Sequence, residues 1–598
     1  MKSVVAGGIL VFAAFAAEAK DFTVVDNGRA VASVVVETPG LETASYAASE
    51  LVKYVKAMTG AELKIAKGGK AGSSPVIRIV ADRSLRRDEV SLKVDKSGRE
   101  LVVAGDWPRG CLYATYELLE HWGVRFYGAK MEKIPRVKSL KLPGGFSHSY
   151  VPPFEMRQPG SIALDVGAGH AWVPKLHVTR NYQNKKFGGQ WDAVIGSGHS
   201  LGNKSFVNVE RFFGEHPDWY ALVGSARSPK AQLCHSNAGM REELVREVKA
   251  KIESCKGAGG IKIVNLSYLD NNRFCSCKDC DLLRRQYGGA KIGPALDLAN
   301  FVAKAIEAEH PTVKIATLAY WDWREPPSKT PEPIHKNVYV RLCQNGNKAL
   351  PLKRQNDIMA RLKAWNKIVP GRLMIWDWDA CFRNYLTPYP TYHLYAEDFR
   401  TYRELGVKHI TSQLPHGAMF ADFVEMRTYL YAKLAWNPDL DGEAMAKEWI
   451  DYCCGSGAPQ IWAYYKLVER ALWGKNPEKR ETRFRLHGYN ADRGWLAAAD
   501  LAEAYNLLQA AEKATEGEGV FHDTVRCIGA GLLELVIERY DEVAGQMKKN
   551  GCRDFPDRLK LVDRFEKIGS DYFVWCFREG PSPRQFKPLV EKMRGGGL

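Results

Sequence analysis

Between residues 20 and 145 the apolar positions switch between a period of two and a period near 3.6. Phe22-Thr-Val-Val and Ala32-Ser-Val-Val-Val-Glu37 read as short strands, with Asn27-Gly28 as the turn between them. Ala47, Leu51, Tyr54, Val55 and Met58 then recur on one helical face, and Gly60 stands where a left-handed cap ends such a helix. Val76-Ile-Arg-Ile-Val80 and Glu100-Leu-Val-Val-Ala104 are further strands, and a second helix is predicted from about Gly110 to Glu120. The order β-β-α-β-β-α predicts a small α/β sandwich domain over residues 20–147.

From Pro152 to Trp436 short apolar runs alternate with helical stretches. The predicted strands begin with Phe154-Glu-Met-Arg157, Leu176-His-Val178, Ile261 to Ser267 and Lys314 to Ala319. Val338 to Leu342, Arg372 to Ile375 and Lys408 to Thr411 follow, with helices such as Leu296 to Glu309 and Asp357 to Ile368 between strands. Strand–helix alternation over this length, with no Gly-rich dinucleotide loop, predicts a (β/α)8 TIM-type barrel over 148–437. Beyond Asn437-Pro438-Asp439 the period is helical, as in Leu501, Tyr505 and Leu508, and residues 438–598 are expected to form an α-helical C-terminal domain.

The first nineteen residues differ. Lys2, the apolar run from Val4 to Ala17 and the small-x-small site Ala17-Glu18-Ala19 predict a signal peptide over 1–19, hence a secreted or periplasmic protein. That run is shorter than the roughly 20 residues a membrane span needs, and no span is expected later in the chain. The formal charge of +16 survives cleavage, because Lys2 and Glu18 cancel. The basic residues are dispersed and no nucleic-acid motif is present, which argues against a nucleic-acid partner. What stays open is a solvated basic surface or an attraction to an anionic glycan. The thirteen cysteines are an odd number, so at least one is free, metal-bound or paired between chains.

Two stretches resemble known families. Tyr46-Ala-Ala-Ser-Glu-Leu-Val-Lys-Tyr-Val, Thr59-Gly60, Arg109-Gly110, Leu119-Glu120 and Gly123-Val-Arg-Phe-Tyr127 resemble the N-terminal domain of α-glucuronidases of glycoside hydrolase family 67, and the leading domain of β-hexosaminidases is similar. The resemblance implies a scaffold in front of a catalytic barrel. Further on, the matching motifs are Gly198-His199, Glu215-His-Pro-Asp-Trp-Tyr220, Gln232-Leu-Cys-His-Ser-Asn237 and Asp270-Asn271. Leu318-Ala-Tyr320, Trp376-Asp-Trp378 and Tyr429 to Asp439 continue the likeness to domain-of-unknown-function family 4838. That family is defined by sequence, so glycoside hydrolysis is implied by the architecture alone. In the Trp-Asp motif this chain has Trp378 where the family pattern leads one to expect Tyr.

In a barrel of this kind the polar residues just after strand ends face the active site. Here those are Asp270-Asn271, Tyr320-Trp321-Asp322 and Trp376-Asp377-Trp378-Asp379, with Arg157, Asn181 and His199 on earlier loops. A carboxyl group flanked by tryptophans offers proton transfer beside flat apolar rings for a pyranose, although a strand-end Asp is also a common helix N-cap. Asp270 and Asp377 are therefore the candidate catalytic carboxyls. The resemblance to barrel glycosidases puts the acid after the fourth strand, read as Asp270. Arg157, His199, Asn271, Tyr320, Trp376 and Trp378 are candidate substrate-binding residues. Cys275, Cys277 and Cys280, with Cys234 or Cys343 as a fourth, suit either a structural zinc or disulfides, and no cofactor is required for the chemistry. The expected function is hydrolysis of a polysaccharide or oligosaccharide, a uronic-acid or sulfated glycan among the candidates. The alternative is a non-catalytic glycan-binding protein on a degenerate barrel. The carbohydrate is the expected partner, and the sequence leaves the oligomeric state open.

Overall fold

The computed structural model describes residues 19–66, 75–179, 184–189, 191–255, 257, 259–474, 477–488, 493–572, 574, 576–579 and 585–596. The predicted signal segment up to residue 18, and Asn181, lie outside the described residues. The chain divides into two compact units. One is the chain up to Val124 with Ile134–Val151, and the other is Arg125–Lys133 with Pro152–Leu598. The predicted break near residue 437 does not separate a further unit.

In the smaller unit a five-stranded sheet runs in the order Ser147–Tyr150, Val90–Val94, Glu100–Asp106, Val76–Asp82 and Ser33–Val36. Phe22–Asp26 pairs antiparallel with Leu140–Leu142 in a separate three-stranded sheet. The helix Glu42–Thr59 buries Ala47, Leu51, Tyr54, Val55 and Met58, and ends at Gly60 with φ +78°, where the missing Cβ relieves the left-handed turn. The helix Gly110–His121 follows the sheet strand Glu100–Asp106. Val90–Val94 and Ser147–Tyr150 escaped the sequence reading. The first is short, and the second, Ser-His-Ser-Tyr, has no buried face to leave an apolar signature.

The larger unit is built on seven parallel strands. They are β1 (Met156–Gly160), β2 (Ala193–Ile195), β3 (Lys262–Asn265), β4 (Lys314–Ala319), β5 (Val338–Gln344), β6 (Leu373–Trp378) and β7 (His409–Gln413). Their order is β1-β7-β6-β5-β4-β3-β2. Met156, Ile263, Ala316 and Met374 come from β1, β3, β4 and β6, yet they form one buried cluster, so the sheet is curled with these residues inside. Among the described residues β1 and β2 are not paired, and the curl is open there. The eight-stranded closed barrel expected from sequence is thus seen as seven curled strands. The predicted strand at Leu176–Val178 is the missing member. Pro174 starts a 3-10 turn over Pro174–Leu176, and His177 adopts φ +56°, which breaks an extended run. The helix Gly293–Ile306 lies between β3 and β4, and Asn356–Ile368 between β5 and β6. From Gly442 onward the described elements are helical, with Leu501, Val525, Ile528, Leu532 and Leu535 buried. No helix among the described residues is long and apolar enough to cross a membrane.

Candidate functional site

Strand alternation decides which candidate residues share a face. Met374 lies inside the curl, so Trp376 and Trp378, two and four residues on, face inward as well. In register with them on β7 are Thr411 and Gln413, and the Trp376 indole N–H donates to Gln413 Oε1 at 3.0 Å. On β4 the inward set is Ala316, Leu318 and, just past the strand, Tyr320. The Tyr320 ring stands 6.3 Å from Trp376 at an interplanar angle of 21°, and 5.9 Å from Trp378. His199 completes this aromatic floor, 5.8 Å from Tyr320 and 6.2 Å from Trp376. Its Nδ1–H donates to the Tyr268 carbonyl at 2.8 Å, which fixes the orientation of the ring. Beside the floor, Trp321 is 49% exposed and held at φ +47°. That left-handed backbone is unfavourable for a bulky residue and presents the indole to solvent.

Asp270 is exposed in the loop after β3. It follows the third described strand of the parallel sheet rather than the fourth. The loop is held by Gln232, whose Nε2 donates to the carbonyls of Leu269 (2.9 Å) and Asn271 (2.8 Å), while its Oε1 accepts from Leu269 N. Asn271 Oδ1 is committed to the same loop, accepting from Gln232 Nε2 and from Arg273 N. Asn271 Oδ1 therefore shapes the turn that carries Asp270. The exposed Asp322, after β4, pairs with Lys291 at 3.2 Å.

Asp377 is placed differently from the expectation. It lies between two inward tryptophans and so points outward with Leu373 and Ile375, toward the helical layer. There it is buried and ion-paired with Lys348, which also lies 3.8 Å from Asp379. Ser412, outward on β7, donates to Asp379. Burial and then the neighbouring Asp379 raise the Asp377 carboxyl to about 7. The expected pairing of Asp270 with Asp377 across a sugar thus meets an Asp377 carboxyl already engaged by Lys348, while Asp270 is exposed on its loop. Arg157 is likewise engaged within the protein. It is outward on β1 and fully buried, donating through Nε and Nη2 to the His177 carbonyl and through Nη1 to that of Phe154, over the Trp436 ring.

Two sets of residues were missed by sequence reasoning, one within β5 and one beyond the strand ends. Arg341 lies next to Met374 in the β5–β6 register, and so inside the curl. Among the described residues no acceptor or carboxylate pairs with it, and burial alone pushes its guanidinium down to about 10. Its only sequence signal is a charge within the apolar run Val338 to Cys343. The second set is the segment 482–487, which closes a cavity of about 590 Å³ with the loops after β4 and β5. Arg324, Arg354, Arg483 and Arg485 line it with Asn345 and His487, and His487 touches Trp378 at 5.8 Å between ring centroids. The sequence signal for this set is the dense basic run Lys479 to His487.

The three predicted cysteines converge with Cys234, and the four Sγ atoms all lie within 4.8 Å of one another. Cys343, the other candidate, lies on β5 in register with Trp376. All thirteen cysteines are free thiols in the structure.

A family model described as "Domain of unknown function (DUF4838)" matches residues 126–466, more than half of the chain. No curated protein matches. Among solved structures the chain is similar to a family 89 glycoside hydrolase from Clostridium perfringens in complex with its substrate GlcNAc-α-1,4-galactose. The identity is 12% and the TM-score 0.50, over 89% of this chain and 65% of that one. It is also matched to a GH138 enzyme targeting pectin rhamnogalacturonan II, at 12% identity and TM-score 0.43, over 94% of this chain and 98% of that one. A β-N-acetylhexosaminidase from Bacteroides fragilis matches at 13% identity and TM-score 0.39, over 80% and 97%. At these identities the family 89 likeness shows a shared fold, a curled parallel sheet of the glycosidase kind.

Proposed function

The chain belongs to the DUF4838 family, and from that premise and the geometry of its strand ends we propose that it is a glycoside hydrolase acting on an anionic glycan. The observation that carries the reading is the floor of Tyr320, Trp376, Trp378 and His199, with the exposed carboxylates Asp270 and Asp322 on the adjoining loops. Flat rings take the apolar face of a pyranose, and two carboxyl groups are what hydrolysis of a glycosidic bond ordinarily uses. In this reading Asp270 is the general acid. Asp322 replaces Asp377 as the second carboxylate, since its pair with Lys291 is exposed and therefore weak enough to yield to substrate. The fold shared with the family 89 glycoside hydrolase supports the class of reaction by analogy.

The anionic character of the substrate rests on Arg341 and on the four arginines around the adjoining cavity. A guanidinium inside the curl with no carboxylate to offset its burial is favoured by a ligand that brings one, as a uronic acid or a sulfated sugar does. The smaller unit is taken as a scaffold, as the α-glucuronidase resemblance implies, and export through residues 1–19 belongs to the same reading. A glycan-binding protein without turnover is the second reading. It is favoured by the outward placement of Asp377, which removes one carboxyl from the expected pair.

Assay of the purified protein on neutral, uronate-containing and sulfated oligosaccharides, beside Asp270→Asn, tests the proposal. The expected result is turnover of anionic glycans that falls roughly 10²–10⁴-fold in the variant with unchanged melting temperature. Binding without turnover, equal in both proteins, would establish the second reading.

A further inference from the structure

We infer that Cys234, Cys275, Cys277 and Cys280 form a closed four-thiolate site for a structural zinc ion, which braces the loop carrying Asp270. The site stands on its own geometry and does not depend on the proposed reaction. The Cys234 Sγ lies 3.7 Å from that of Cys277 and 3.8 Å from that of Cys280, and no pair among the four exceeds 4.8 Å. A zinc–sulfur bond of ~2.3 Å in tetrahedral geometry requires sulfur atoms about 3.8 Å apart. A disulfide requires about 2.05 Å, and all four cysteines are free thiols.

The surroundings suit bound thiolates. Leu222 N donates to Cys275 Sγ at 3.3 Å, and Cys280 N donates to Cys277 Sγ at 3.4 Å across the Cys-x-x-Cys turn. Ser236 Oγ stands 3.2 Å from Cys280 Sγ and 3.5 Å from Cys277 Sγ. The Arg227 guanidinium reaches Cys275 Sγ at 3.8 Å, a cation beside a centre that would carry two net negative charges. Hydrogen bonds of this kind orient thiolates and disperse their charge. Four sulfur ligands leave no open coordination position, so the metal is structural rather than catalytic.

The ligands come from separate chain segments. Cys234 follows the stretch that bridges Tyr220, while Cys275 and Cys277 end the Asp270 loop and Cys280 lies in the first turn of the helix Lys278–Gln286. Ser276 is tied to Leu222 through both its N and its Oγ, so the hairpin of Leu222–Val223 and Ala226–Arg227 is held against the same loop. The metal would thus complete the anchoring that Gln232 begins. It would also keep four clustered thiols from oxidising in an exported protein.

The purified full-length chain tests the inference by elemental analysis and by mass spectrometry without reduction. The expected result is one zinc per chain, released by a mercurial reagent that titrates thiolates, with alkylation of all four cysteines slow until the metal leaves. Cys234→Ser and Cys277→Ser should lose the metal, while Cys255→Ser, outside the cluster, should keep it. If the cluster variants do not fold, replacing zinc by Co²⁺ in the wild-type protein gives the second readout, since a tetrahedral tetrathiolate cobalt site shows intense visible and sulfur-to-metal charge-transfer bands. Disulfide-linked peptides containing these cysteines would overturn the inference. So would four thiols that alkylate at once in metal-free, folded protein, or one iron per chain in place of zinc.

Discussion

Replacing Arg341 by Met would test whether a cation inside the curl is kept for a ligand at the expense of stability. The side chain lies beside Met374 on the inner face of the sheet, and burial alone lowers its guanidinium from 12.5 to about 10. A lowered cation means that the folded state disfavours the charged form. The penalty therefore applies at every pH below about 10 and fades only above it. A guanidinium lowered from 12.5 to about 10 corresponds, at ~1.4 kcal/mol per pH unit, to a cost of about 3.5 kcal/mol. Met fills much of the same volume with a flexible apolar chain, so the variant should recover most of that energy. In a unit of roughly 450 residues the unfolding entropy is about 1 kcal/mol per degree, and the melting temperature should rise by about 3 °C. Thermal melts at pH 7 measure this directly. Initial rates on matched uronate and neutral oligosaccharides measure the other side, where KM should rise for the uronate substrate and stay unchanged for the neutral one. A free sugar acid should raise the melting temperature of the wild-type protein but not of the variant. A variant that melts lower, or whose preference for the anionic glycan is unchanged, would refute the reasoning.

Two further substitutions separate structural residues from chemical ones. Asp377→Asn should keep turnover within about tenfold, because the carboxyl faces Lys348 and not the aromatic floor. A loss of 10²-fold or more would restore it to the chemistry. Because burial and Asp379 raise Asp377 to about 7, the unfolded chain binds fewer protons than the folded one between about pH 4 and 7, and wild-type stability falls as pH rises through that window. Melts of the Asn variant should therefore gain on the wild type between pH 5 and 8. Arg157→Met should leave the carbonyls of His177 and Phe154 without their donors, lowering stability by about 2–4 kcal/mol in denaturant titrations while activity per folded molecule is retained.

Local pattern was a good guide where one face of an element is solvated. The helix Glu42–Thr59 and its Gly60 cap stand where periodicity placed them, and Asn356–Ile368 begins one residue from its predicted start. Pattern failed on β6. Leu373-Met-Ile-Trp-Asp-Trp is buried on both faces, as parallel strands between a core and a helical layer are, so no alternation marks which parity faces inward. Tryptophan and aspartate therefore could not be assigned to opposite sides of this strand from sequence.

What the sequence by itself determined was most of the elements, the family, the Trp and Asp residues at strand ends and the Cys-x-Cys-x-x-Cys cluster, because each is a property of neighbours along the chain. Only the tertiary structure decided which of these meet. It turned Asp377 and Arg157 outward, left Arg341 inside with no counter-ion among the described residues, chose Cys234 over Cys343 as the fourth thiol and brought residues 482–487 to the strand ends. Strand parity and long-range approach are set by the curl of the sheet and the packing of helices upon it, and segments more than a hundred residues apart carry no mark of that in their local spacing.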